Sequence, residues 1–152
     1  MKTELTREFP VPTKTAYDYL NTFRSWPAWF TGVLEILDPE KGAWKAKGDK
    51  VRFAYRLLGR RIEGVAILEE KREGELTTFH TEVSKLPNVR YEYHYEAKGP
   101  TACQLRVVLQ TEEPTSFFGK AIDRMVLPRV LERDLRQSLD NLQDIFASRL
   151  HL

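Results

Sequence analysis

At 152 residues the chain has the length of one domain with one hydrophobic core, and 24 basic against 22 acidic residues leave a net charge of +2. The two signs are interleaved along the sequence, so neither nucleic acid nor an anionic membrane surface is indicated as a partner. Cys103 is the single cysteine, which excludes an internal disulfide and a cysteine-based metal cluster, and 41% hydrophobic with 30% charged residues is the balance of a folded globular chain.

Met1–Glu8 carries charge at alternate positions and lacks the apolar stretch of a secretory leader. No apolar run approaches the roughly 20 residues that span a bilayer. A cytoplasmic chain is expected, folding as one unit over residues 1–152 without stable membrane insertion. Thr3–Val11 alternates, with Leu5, Phe9 and Val11 on one face, and predicts a first strand. Arg7 falls on that face, where a sheet-edge position would let its stem lie on apolar surface and its head reach water. Pro12-Thr13 opens a helix, with Thr13 as its expected cap and Ala16, Tyr17, Leu20 and Phe23 at helical spacing. Ser25–Phe30 predicts a second short helix capped by Ser25, with Pro27 in its first turn and Gly32 after its end.

Beyond Gly32 the period changes to short strands at 33–37, 50–58, 61–70, 76–83, 89–96 and 103–111, divided by turn residues such as Gly48-Asp49, Gly59-Arg60 and Pro87-Asn88. Connections this short favour antiparallel neighbours. A two-residue loop at Gly59-Arg60 would pair Leu57 with Ile62, Arg56 with Glu63, Tyr55 with Gly64 and Phe53 with Ala66. In the strand from Val89, Tyr91, Tyr93 and Tyr95 share one side, while Arg90, Glu92, His94 and Glu96 share the other. From Ser116 to Leu150 the helical period returns, with Leu131, Leu135, Leu139, Leu142, Phe146 and Leu150 in one stripe and a kink or break expected at Pro128.

This order of elements resembles the helix-grip fold of the START-like superfamily, which includes the Bet v 1 allergens and the polyketide cyclase/dehydrase and lipid-transport group. The resemblance is carried by Phe9-Pro10-Val11-Pro12 leading into Ala16–Leu20, by Trp26–Val33, and by Leu135–Leu142 near the end. It implies an α+β fold: a curved seven-stranded antiparallel sheet wrapped around a long C-terminal helix, with two short helices after the first strand. It also implies an apolar or amphipathic small molecule held between sheet and helix. Within the superfamily some members bind or carry such a ligand, some catalyse ring closure or dehydration, and some are protein-interaction modules that bind coenzyme Q or associate with ribosomes. Binding or carriage without chemistry is the leading expectation here, and the other two remain alternatives.

The residues themselves narrow the site further. His80, His94 and His151 are the only histidines, and no pair has ligand spacing, so neither a metal nor another cofactor is expected. His94 shares the polar face of its strand. His80 groups with the polar face by alternation and with the interior by the superfamily pattern; turned inward, His80 or Tyr93 would be the acid or base of a catalytic reading. The expected ligand wall comprises Phe53, Tyr55, Gly64, Ala66, Tyr91, Tyr93, Tyr95 and Val107. Trp29 stands at its mouth, with Met125 on the helix side, around a cavity of about 300–1,000 Å³. Asp123 and Arg124 could reach that mouth as well.

Overall fold

A computed structural model describes residues 1–112 and 126–148. Seven strands, β1 (Lys2–Phe9), β2 (Val33–Ile36), β3 (Lys50–Leu57), β4 (Arg60–Arg72), β5 (Leu76–Val83), β6 (Val89–Ala97) and β7 (Cys103–Thr111), form one antiparallel sheet in the order β1-β7-β6-β5-β4-β3-β2. Helices α1 (Thr13–Leu20) and α2 (Trp26–Trp29) follow β1, and α3 (Val126–Ser148) closes the described chain. This is the α+β helix-grip architecture expected from the order of elements.

The sheet curves around α3, whose inward stripe of Leu127, Leu131, Leu135, Leu139, Leu142 and Phe146 is buried. At 1.5 Å per residue, the 23 residues of α3 reach about 35 Å, enough to cross the sheet. Its far end packs on β1, where Phe146 meets the ring of Phe9 edge-on at 5.2 Å. Pro128 lies within α3, which is helical on both sides of it across the described span Val126–Ser148, so the break expected there is absent from the described helix. The expected helix over 116–125, Leu150, Asp123, Arg124 and Met125 lie outside the described residues. No helix among the described residues is long and apolar enough to cross a membrane.

Local details depart from the sequence expectations in instructive ways. Neither Thr13 nor Ser25 caps through its side chain. Ser25 Oγ instead donates to the Tyr19 and Thr22 carbonyls at 2.6 and 2.8 Å and accepts from Trp29 Nε1 at 3.0 Å, tying α2 to α1. The β3–β4 hairpin turns at Leu58-Gly59, both with positive φ (51° and 79°), the type I′ geometry that suits twisted strands. Phe53 therefore pairs with Gly64, Tyr55 with Ile62, and Arg56 with Arg61, two residues from the expected register. A shift by two keeps every side chain on its expected face, but it removes the Arg56–Glu63 pair. Arg61 reaches Glu35 on β2 instead, at 3.2 Å. Arg7, on the edge strand, meets Asp140 of α3 at 2.7 Å and donates to Gln143 at 2.8 Å, so its charge is answered at the sheet rim.

Candidate functional site

The concave face carries a dense aromatic stack. Trp26 lies on Phe79 at 5.6 Å, Phe79 on Tyr91 at 4.9 Å, and Phe30 meets Tyr91 edge-on at 5.4 Å. The space expected beside Gly64 on β4 is taken by Val83 and Phe53. The apolar cavity that remains is about 40 Å³, bordered by Phe30, Phe53, Tyr55 and Tyr91 from below and by Leu127 and Leu131 of α3 from above. That is room for one or two waters, not the several hundred cubic ångströms of a formed ligand pocket. It runs toward one end of the sheet, where Leu57, Ile62, Val83, Leu86 and Pro87 complete its wall.

Behind it, a second gap of about 10 Å³ is bordered by Trp29, Thr31, Tyr91, Tyr93, Asp134 and Ser138. Phe30, Tyr55, Tyr91 and Leu131 border both gaps. Tyr55 Oη donates to Asp134 Oδ2 at 3.0 Å, placing a carboxyl–phenol pair in the interior beside Tyr91, Tyr93 and Ser138. Burial raises the Asp134 carboxyl above its ordinary range, partly offset by the Tyr55 hydrogen bond and by the Arg133 guanidinium 3.5 Å away. Burial likewise raises the Tyr55, Tyr91 and Tyr93 hydroxyls, so all three stay protonated donors at neutral pH. Neither the Tyr91 nor the Tyr93 hydroxyl is hydrogen-bonded to another described residue, although both rings are almost fully buried.

Local sequence explains how the pair is held. Gly32 (φ 100°) passes so close to Tyr55 that any Cβ there would clash with the Cζ–Oη end of the phenol ring. Ser138 Oγ, one turn beyond Asp134, donates to the Asp134 carbonyl at 2.8 Å and accepts from the Thr31 N–H at 2.9 Å. Asn141 Nδ2 donates to the Trp29 carbonyl at 3.3 Å. Together these contacts lock the exit from α2 onto α3 and fix Asp134 over Tyr55.

The sequence-predicted wall residues are thus divided. Phe53 borders the larger gap, Tyr55 and Tyr91 border both, and Trp29 and Tyr93 border the smaller. Gly64 and Ala66 border neither: a Cβ on Gly64 would stand 2.6 Å from Val83 Cγ2 and 3.1 Å from Phe53 Cζ, so that space is taken, and Ala66 is wholly buried opposite Val51. Tyr95 accepts from Asn21 Nδ2 at 3.3 Å and packs edge-on against Tyr17 at 5.2 Å, a structural role beneath α1. Val107 is buried between Leu5 and Tyr93 across the sheet.

His80 lies on the outer face, with Nδ1 3.1 Å from Glu69 Oε1 and Nε2 2.8 Å from Glu82 Oε2, so it cannot serve as acid or base toward the interior. Among the described residues no group of three or more His, Cys, Asp or Glu could hold a metal. Asp134 and Ser138 were not expected. Their spacing of four, flanking the leucine stripe, was the signal available for them.

Residues 1–147 match the family described as polyketide cyclase / dehydrase and lipid transport. The chain belongs to this family. Solved structures with the same fold include the ZhuI aromatase/cyclase from Streptomyces sp. R1128, at 14% identity and a TM-score of 0.77 over 99% of this chain and 95% of that one. A START superfamily protein from Mycobacterium smegmatis is 14% identical, with a TM-score of 0.68 over 94% and 97%. The di-domain ARO/CYC BexL of the BE-7585A biosynthetic pathway is 14% identical, with a TM-score of 0.72 over 95% of this chain and 45% of that one. At such identities the likeness is one of fold. No curated protein matches in sequence. Membership of the polyketide cyclase/dehydrase and lipid-transport family gives this chain a fold built for hydrophobic ligands.

Proposed function

We propose that this family member binds an amphipathic small molecule between the sheet and α3, with an apolar body against Phe30, Phe53 and Leu131 and a hydrogen-bonding group at Asp134. The observation that carries this reading is the buried Tyr55–Asp134 pair. A carboxyl in an apolar interior costs stability, and replacing such a group by a hydrophobic residue is commonly neutral or better for folding. Its presence therefore favours a role in recognition, with the free Tyr91 and Tyr93 hydroxyls as further anchors. At about 40 Å³ the cavity must enlarge to take a ligand, and the stretch of α3 that carries Leu127 and Leu131, ahead of the bonds that hold Asp134, Ser138 and Asn141, is the wall able to withdraw. Native mass spectrometry of freshly purified protein tests this reading. A small molecule retained by the wild type and lost in Asp134→Leu supports it, whereas a wild type free of bound mass that also takes up no apolar dye contradicts it.

A cyclase/dehydrase-type enzyme is the second reading, and one specific observation favours it. A carboxyl with a raised pKa beside a phenol is a competent proton donor and acceptor in a water-poor site. Asp134 then replaces His80 as the acid/base, with Tyr55 positioning it. A pH–rate profile on a polyketide-like substrate that loses its carboxyl limb in Asp134→Asn separates this reading from simple carriage.

A further inference from the structure

The only two non-glycine residues with left-handed backbone among the described ones are Leu58 (φ 51°) and Lys85 (φ 68°). Each is an unfavourable choice, since Asn, Asp or Gly takes this conformation more readily than Leu or Lys. Leu58 is also 56% exposed, the most exposed large hydrophobic residue described. Neither turn geometry nor burial accounts for a leucine at that position, and strain of this kind concentrates where function retains it.

The two residues mark one end of the molecule. Leu58 tops the β3–β4 hairpin and Lys85 the neighbouring β5–β6 loop. Leu57, Ile62, Leu86 and Pro87, their immediate surroundings, form the outer wall of the cavity. The hairpin tip reads Arg56-Leu57-Leu58-Gly59-Arg60-Arg61, three arginines and no acid, and the loop Ser84–Asn88 adds Lys85 and no acid. Arg129 is exposed on α3 two residues from Leu127, at the same cavity end. Glu35 answers Arg61 at 3.2 Å, and Glu63 and Glu82 are exposed farther along β4 and β5. Arg56, Arg60 and Lys85 have no carboxylate partner among the described residues. The even alternation of charge in the sequence hides this cluster, which only the fold assembles.

An apolar tip ringed by cations is the chemistry of an interfacial anchor on an anionic lipid surface. We infer that the cavity end of this protein docks on anionic membranes, with Leu58 inserted among the lipid chains and Arg56, Arg60 and Lys85 against the headgroups. Such docking would bring the cavity mouth to the bilayer, where an apolar ligand can pass without crossing water. This inference goes beyond the ligand reading and does not depend on it.

Co-sedimentation of the full chain with phosphatidylcholine vesicles, with and without phosphatidylserine, tests the docking. Binding is expected only with phosphatidylserine and should weaken as salt is added. Leu58→Asn should lower vesicle affinity about tenfold by removing the inserted side chain, while the melting temperature holds or rises because Asn accepts the turn geometry. Arg60→Gln should lower it roughly fivefold. Failure of the wild type to bind phosphatidylserine vesicles at low salt, or wild-type affinity in Leu58→Asn, overturns the inference. So does a Leu58→Asn effect confined to self-association in sedimentation velocity, which would make the tip a protein contact. Dye uptake measured on the same samples keeps a failure of docking distinct from a failure of ligand binding.

Discussion

Asp134 is the residue on which the functional account turns, and its energetics have a definite sign. Burial raises its pKa above the unfolded value, so the folded state holds a proton that the unfolded chain releases. Its stabilising contribution is therefore largest below the unfolded pKa and is lost as pH rises through the raised folded value. Asp134→Asn keeps an acceptor for Tyr55 and removes the charge, so its stability relative to wild type should rise over that window. Denaturant midpoints of both proteins at several pH values measure this; parallel curves would show that Asp134 is solvated. Gly64 makes the opposite point. The sequence suggests room beside it, but Val83 and Phe53 occupy the space, and Gly64→Ala should destabilise the fold by about 1–3 kcal/mol through overpacking. An unchanged melting temperature in that variant would mean that Val83 yields without cost.

At the scale of elements, α3 holds the sheet closed. Leu142 is fully buried on its inward stripe, and Leu142→Ala should cost ~2–5 kcal/mol, whereas Arg136→Ala, on the exposed side, should cost about 0.5 kcal/mol or less. Equal losses in urea titrations would assign the wrong face to the helix. The stripe was legible in the sequence because leucines at helical spacing leave one solution. The β3–β4 register was half legible: alternation fixes the face, but the turn is Leu58-Gly59, and nothing in turn chemistry recommends leucine for a positive φ. His80 was ambiguous for a related reason. Leu76, Thr77, Thr78 and Phe79 are all buried, so alternation in the first half of β5 does not tell inside from outside. Asp134 escaped notice because a polar residue flanking a leucine stripe looks solvated until Thr31, just beyond α2, lies over that flank.

For the molecule as a whole, element order determines the helix-grip topology, and family membership agrees with it. The size of the cavity was not legible, since it depends on how Trp26, Phe30, Phe79 and Tyr91 stack, and the same composition could enclose a larger void. The central claim is that sheet and α3 part to hold an amphipathic molecule between Tyr55, Asp134 and Leu131. Titration with an environment-sensitive apolar dye, comparing wild type with Leu131→Trp, tests it most directly, because Leu131 borders both gaps and a larger ring there plugs them from the helix side. The account predicts saturable uptake at one site by the wild type, lost in a Leu131→Trp variant that keeps its native circular dichroism. A wild type without saturable uptake, or uptake undiminished in the variant, would contradict it and leave this interior as packed core.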